Sequence, residues 1–135
     1  MNSYFRILII AFFLNMMFGC GTQMGGVGPG MDPQEAVVKE LGDLLRCGNG
    51  IPRQLDDLKS FESNFPVPYR AIKMGEIVVL WGIPMLGEGD AATKEGKLVA
   101  YEKEVPTVGG WILMTNGTAK KVTAVEYASL PKAAK

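Results

Sequence analysis

An Asn-Gly pair between two β-like segments is the feature that most constrains how this chain can fold. The stretch GGWILMTNGTAKKVT, residues 109–123, places Asn116-Gly117 between an apolar segment and one that contains β-branched residues. Asn-Gly in this setting favours a β-hairpin, because a type I′ turn needs positive φ at both central residues. The sequence therefore predicts antiparallel strands over 110–115 and 118–123.

The segment before this pair is apolar on both faces of its predicted strand. Trp111 and Leu113 alternate with Ile112 and Met114, so each face carries two apolar side chains. This pattern is typical of a strand that is interior to a sheet or covered on its outer face.

Two segments upstream also predict strands. Residues 76–83 contain the continuous run IVVLWG, which is typical of a central strand buried on both faces. Residues 97–103, KLVAYEK, form the next strand. With the hairpin, these segments predict a small, mostly antiparallel, four-stranded meander sheet.

Helical signals lie before and after the strands. Asp32 as N-cap and Pro33 at the first helical position begin a predicted helix over 33–46. A shorter helix is predicted around 54–63, with Leu55, Leu58 and Phe61 directed inward. FPVPYRAIKMG then predicts extended backbone before a helical turn, because Pro66 and Pro68 disfavour helix at the residues before them. Thr123 and Glu126 form a capping box for a short C-terminal helix that ends at Leu130.

These segments predict an α+β fold, in which one or two N-terminal helices pack on the four-stranded sheet and a short helix closes the chain. Residues 32–135 are expected to form this single domain. The expected core includes Leu41, Leu44, Leu45, Val79, Trp81 and Leu113.

The N-terminus predicts export. Residues 7–18, ILIIAFFLNMMF, carry no charge and follow a short start that contains Arg6. Twelve residues are too few for a spanning helix, which needs about 20. A basic start followed by an apolar run of this length is typical of a secretory signal peptide, here residues 1–19, rather than of a buried core helix.

The end of this run resembles a bacterial lipobox. In MMFGC, Gly19 takes the small position before the cut and Cys20 is the candidate lipidated residue. The resemblance implies a lipid anchor in a bacterial membrane, on its periplasmic or cell-surface face, followed by a Gly-rich tether over residues 20–31. Cleavage without a lipid and retention as an uncleaved anchor are the alternatives.

Composition removes several classes of function. Histidine is absent from all 135 residues, which excludes Ser-His-Asp and Cys-His catalysis and every His-based metal site. The 14 basic and 14 acidic side chains give no clustered positive charge for nucleic acid. We expect no metal, no cofactor and no catalysis. The remaining candidates for acid–base catalysis are carboxylates. We expect them to be solvated surface charges, and an acid–base pair among them is the less favoured alternative. They are Asp56, Asp57, Glu62, Glu102 and Glu104.

Two further motifs have ordinary structural explanations. Residues 87–92 match the G-x-G-x-x-A pattern of dinucleotide sites, but no apolar helix follows, and Glu88 and Asp90 would repel phosphate, so a polar loop is expected. Cys47 is expected to be a buried thiol at a helix end, or to pair with Cys20 if that residue escapes lipidation.

Residues 98–130 resemble the C-terminal segment of bacterial pilin-like proteins with a His-x9-Asp-Gly motif. Tyr101, Gly109-Gly110, the apolar strand and Gly117 follow the order of that segment, whereas Asn116 stands in place of the Asp and Pro106 in place of the His. The resemblance implies a pilin-like α+β head and a link to a pilus or type II secretion-like system. The resulting expectation is an envelope lipoprotein that serves as a structural or protein-interaction module for an envelope protein partner, the alternative being a tethered ligand-binding or inhibitor-type domain.

Overall fold

Helices lie on both sides of one antiparallel sheet. The structure, a computed structural model, describes residues 30–91 and 94–132, so the expected signal peptide and most of the tether lie outside the described residues. The elements in chain order are α1 (Pro33–Arg46), a 3-10 helix (Leu55–Phe61), α2 (Pro66–Lys73), β1 (Ile77–Val79), α3 (Glu88–Ala91), β2 (Leu98–Glu102), α4 (Val105–Val108), β3 (Gly110–Met114), β4 (Ala119–Val122) and α5 (Ala124–Ser129).

The strands form a meander in the order β1-β2-β3-β4, with every neighbouring pair antiparallel. Val79 pairs with Ala100, Ala100 with Leu113, and Leu113 with Ala119, so one row of residues crosses the whole sheet. The register shifts between Leu98 and Ala100, where β2 carries an irregularity. The predicted α+β fold, with helices on a four-stranded antiparallel sheet, is confirmed.

Helix α1 covers one face of the sheet. The Asp32 carboxylate accepts the N–H of Gln34 at 2.9 Å, as predicted for the N-cap. The apolar stripe of α1 is buried and packs with Leu113, Ala100 and Val79 of the sheet. Gly42 of α1 is buried against this face, where a Cβ would lie 3.4 Å from Leu113 Cδ1, an ordinary van der Waals contact.

The opposite face of the sheet has its own apolar core, which α4 and α5 cover. Ile112 and Met114 of β3 are buried there with Val105 of α4 and Tyr127 of α5. The predicted capping box begins α5: the Glu126 carboxylate accepts the N–H of Thr123 at 2.7 Å. Strand β3 is therefore buried on both faces, the outer one being covered.

Strand β1 differs from its prediction as a central strand. It is only three residues long and stands at one edge of the sheet, with β2 as its one neighbour among the described strands. The apolar run continues past it because the next residues leave the sheet and still pack on the core; Trp81 and Leu80 are half-buried and Ile83 is buried. Of the expected core residues, all but Trp81 are fully buried.

The hairpin turn lies where predicted but has another geometry. Gly117 has φ +83°, whereas no residue other than glycine has positive φ in the described chain, so Asn116 does not adopt the type I′ conformation. The N–H of Gly117 donates to the carbonyl of Met114, and the N–H of Met114 donates to the carbonyl of Thr118, both at 2.9 Å. These bonds close a three-residue loop with glycine in the left-handed position, the next commonest hairpin connection.

Two N-terminal segments differ from their predictions. One forms a different type of helix, and the other is helical where extended backbone was expected. The second predicted helix is a 3-10 helix, which explains its apolar spacing of three, because a 3-10 helix has 3.0 residues per turn. The segment expected to be extended begins α2 at Pro66 instead. Proline at the first helical position leaves no hydrogen bond unmade, so both prolines fit within the first turn.

Candidate functional site

Of the two cysteines in the sequence, the structure describes Cys47. Cys20, the predicted lipidation site, lies outside the described residues. Cys47 is half-buried at the C-cap of α1, with a free thiol, and its N–H donates to the carbonyl of Leu44 at 3.1 Å. Its predicted place at a helix end is correct, whereas its burial is only partial.

The chain enters α1 at one end of the sheet, which we call the entry end. At the hairpin end, a Cβ on Gly117 would lie 2.6 Å from an Arg46 guanidinium nitrogen, so the C-terminus of α1 lies there. The N-terminus of α1 therefore lies at the opposite end. Strand register places the start of β1, the end of β2, the start of β3 and the end of β4 at that same end.

A cleft of about 620 Å³ opens at the entry end between α1, α2 and the β1–β2 edge. Gln34 and Val37 from the first turns of α1 line one wall. Val67 and Arg70 from α2 and its C-cap residue Met74 line another. Clefts of this volume are large enough for a small molecule or a short peptide segment.

The sequence of α2 explains this wall of the cleft. Its inner face buries Pro68, Tyr69 and Ala71 against the core. Because residues i, i+3 and i+7 share a helical face, Val67, Arg70 and Met74 stand together on the outer side, and all three are exposed. Sequence analysis missed this surface because it expected extended backbone there; Pro66 at a first helical position was the available signal.

Charges of both signs surround the cleft. Arg70 and Lys103 stand with Glu76, Glu102 and Glu104 along its lining. The Glu102 carboxylate is already engaged, since its Oε2 accepts the backbone N–H of Trp111 at 2.7 Å. The same oxygen occupies the space beside Gly110, the residue before Trp111, because a Cβ on Gly110 would lie 2.6 Å from it. Glu102 thus holds the β2–β3 junction.

Asp57, another candidate carboxylate, lies on a different element from Glu40 and Glu126, two acidic side chains that were not among the candidates. Asp57 caps the 3-10 helix, and the N–H of Arg53, which donates to it at 2.8 Å, is the main cause of its lowered pKa. Burial and the nearby Asp43 carboxylate raise the pKa of Glu40 on α1. The N–H and hydroxyl of Thr123 lower the pKa of Glu126. These shifts have structural causes at helix ends and on a helix face.

The described residues of the G-x-G-x-x-A pattern, 87–91, lie in the expected inter-strand loop, where Glu88–Ala91 form one helical turn, α3. Lys94 Nζ lies 3.1 Å from the Asp90 carboxylate, which ties the loop together across the undescribed residues 92–93. An acidic loop with a single four-residue helix offers no phosphate site.

Tyr127 is buried in the core on the opposite face of the sheet. Its ring centroid lies 5.1 Å from that of Tyr101, and Lys132 Nζ lies 5.3 Å from the centroid of Tyr127. Burial, together with the hydrogen bond to Tyr101, raises the pKa of Tyr127 to about 12. The N–H of Leu98 donates to the carbonyl of Pro131 at 3.3 Å, so the chain after α5 is bound to β2. These contacts hold the segment after α5 against the sheet.

Within residues 30–91 and 94–132, no group of three or more cysteine or acidic side chains is placed to bind a metal ion. In the same residues no helix has the length and apolarity to cross a membrane. The chain matches no protein-family model, and searches of curated proteins and of solved structures find no match. The resemblance of residues 98–130 to pilin-like proteins therefore stays a prediction.

Proposed function

We propose that this protein is a small bacterial envelope lipoprotein, anchored through Cys20, whose α+β head is a non-catalytic interaction module for an envelope protein partner. The observation that carries the proposal is the MMFGC sequence, which follows a signal-like run and precedes the helical start at Pro33 by only twelve residues. The pilin-like resemblance adds a link to a pilus or type II secretion-like system.

Several features support a non-catalytic role. The chain has no histidine, so acid–base work would fall to carboxylates, lysine or tyrosine. Two of the candidate carboxylates, Asp57 and Glu102, accept backbone N–H groups and so serve the fold. The one large pKa shift among the described residues, at Tyr127, belongs to a buried side chain whose ring packs against that of Tyr101.

Fatty-acid labelling tests the anchor. We expect the wild-type chain to incorporate labelled fatty acid and to sediment with membranes, and Cys20→Ser to do neither. The substitution removes the sulfur that acyl transfer needs and changes little else. Cys47→Ser is the matched control and should behave as wild type. If Cys20→Ser labels and sediments normally, the lipoprotein proposal is wrong and the apolar run is an uncleaved anchor.

A second candidate function is ligand binding, which the cleft between α1 and α2 favours because it combines apolar and charged lining. Native mass spectrometry of the protein extracted from envelopes would then show an added mass. Val37→Trp narrows the cleft from the half-buried side of α1 and should remove that mass. Ile51→Trp, at the other end of the fold, is the control.

A further inference from the structure

We propose that the entry end of the fold rests on the bilayer surface to which the chain is anchored. This inference depends on the proposed acylation of Cys20 and adds to it the orientation of the head. The contact is made by exposed apolar side chains that lie at the same end of the fold as the start of α1.

Exposed large apolar side chains are concentrated at this end. In the described part of the chain they are Ile51, Val67, Met74, Val108 and Val125. Ile51 borders a groove with Leu45 and Arg46, at the C-terminus of α1, and so lies near the hairpin end. The other four lie at the entry end.

Helix α2 and its C-cap residue supply two of the four. Val67 is 41% exposed and Met74 is 66% exposed. Both line the same cleft as Gln34, the second residue of α1. Their position is therefore adjacent to the place where the N-terminal segment meets the fold.

Helices α4 and α5 supply the other two, with Val108 77% exposed and Val125 81% exposed. The two helices contact each other. Gly109, next to Val108, is so close to Thr123 that a Cβ on the glycine would lie 3.0 Å from the Thr123 Cα. These valines therefore flank one junction, at the end of β4 and the start of β3.

The length of the undescribed segment limits where the anchor can be. Nine residues lie between Cys20 and Gly30, the first described residue, so ten steps along the chain join the two. No chain of ten residues reaches further than about 36 Å. A lipid at Cys20 thus keeps the entry end close to the bilayer, where exposed apolar side chains can enter the interface at a high effective concentration.

Charge distribution favours an apolar rather than an electrostatic contact. Exposed Arg70, Lys73 and Lys103 at this end are offset by exposed Glu76 and Glu104. An excess of positive charge, which would attract anionic headgroups, is therefore small. We expect binding to depend little on anionic lipid, which distinguishes it from a polybasic membrane patch.

Fluorescence quenching by lipid tests the orientation. Full-length Met74→Cys and Val125→Cys chains, each with Cys47→Ser, are expressed, purified from membranes as acylated protein and labelled with the fluorophore NBD at the new thiol. Ile51→Cys in the same background is the control, with its own residue 48% exposed. The proteins are reconstituted in phosphatidylcholine vesicles, with or without phosphatidylglycerol, that contain doxyl-labelled lipid. We expect quenching at positions 74 and 125 to exceed that at position 51 by about threefold or more, with either vesicle.

Each other outcome overturns a defined part of the reasoning. Mass spectrometry that finds no acyl group on Cys20 overturns the proposed function and this inference with it. An acylated chain with equal quenching at all three positions overturns the orientation alone. A label at position 74 that is shielded from water but not quenched by lipid overturns the lipid assignment in favour of a protein on this surface. Quenching only with phosphatidylglycerol overturns the apolar character of the contact.

Discussion

Thr115 and Lys97 are joined by two hydrogen bonds at the hairpin end of the sheet. The N–H of Thr115 donates to the carbonyl of Lys97 at 2.7 Å, and the N–H of Lys97 donates to the Thr115 hydroxyl at 2.9 Å. The Thr115 carbonyl accepts a third bond, from the N–H of Leu86 at 2.8 Å. Thr115 is a buried polar residue, and these bonds connect the hairpin loop to β2 and to the segment before α3.

Thr115→Val should therefore destabilise the fold by about 1–3 kcal/mol, because the part-buried N–H of Lys97 loses its acceptor while the side-chain volume stays the same. Urea unfolding measures the change. Thr115→Ser keeps the hydroxyl and should lower the free energy of unfolding by less. Thr118→Val, at an exposed position, should leave it almost unchanged. Equal free energies for Thr115→Val and Thr118→Val would contradict the role given to the hydroxyl.

Alanine substitutions on adjacent β3 residues should show that both faces of this strand are packed. Leu113 belongs to the α1 side and Ile112 to the α4–α5 side, and both are fully buried. Leu113→Ala and Ile112→Ala should each cost about 2–5 kcal/mol of unfolding free energy. Lys120→Ala on exposed β4 should change it by no more than about 0.5 kcal/mol. An effect at Ile112 as small as that at Lys120 would mean that α4 and α5 do not cover the sheet.

Two glycines with similar φ should respond differently to alanine. Gly75 has φ +73° with open space around it, so Gly75→Ala should cost only the left-handed conformation, about 1–2 kcal/mol. Gly109 has φ +86° and ψ 178°, a region that only glycine populates, and its Cβ would lie 2.5 Å from the Val122 carbonyl oxygen. A backbone atom cannot move aside as the end of a flexible side chain can. Gly109→Ala should therefore lower the free energy of unfolding clearly more than Gly75→Ala does. Thermal unfolding of both variants compares them, and equal melting temperatures would exclude crowding at the α4–β3 junction.

Tyr127 should make the protein sensitive to alkali. Burial and Tyr101 raise its pKa to about 12, whereas the unfolded chain loses this proton near its ordinary pKa of about 10. A raised pKa stabilises the fold fully below the unfolded value, and that contribution is lost as pH rises from about 10 to 12. Urea unfolding across this pH range should show that Tyr127→Phe, which keeps the ring, loses less unfolding free energy than wild type as the pH rises. A parallel loss in both proteins would mean that other groups govern the alkaline limb.

Local chemistry made some elements predictable from the residues in order. Asp32 caps α1, and Thr123 with Glu126 caps α5, through hydrogen bonds that span two or three residues. Such bonds need no distant partner, so their residue types carry the information. Asn116-Gly117 likewise located the hairpin. The apolar alternation in β3 correctly predicted that both faces of that strand are covered.

The details that sequence analysis missed depend on partners far along the chain. The hairpin adopts a three-residue loop in which the bonds of Thr115 to Lys97 and Leu86 hold its first residue. The apolar run of β1 looks like a central strand because its end packs on the core after leaving the sheet, and hydrophobicity does not report pairing. Helix α4 has four residues, too few to show a helical period.

The candidate surfaces divide in the same way. The lipobox-like sequence MMFGC is short and contiguous, so the proposal that Cys20 carries an anchor depends on residue order alone. The entry end exists because antiparallel pairing brings the starts of β1 and β3 and the ends of β2 and β4 to one end of the sheet. Val67 and Val125, 58 positions apart by their numbers, share this end only after the sheet has formed. Periodicity ranks residues as apolar or polar, whereas exposure of a particular apolar side chain depends on whether another element covers it, which is a property of long-range packing.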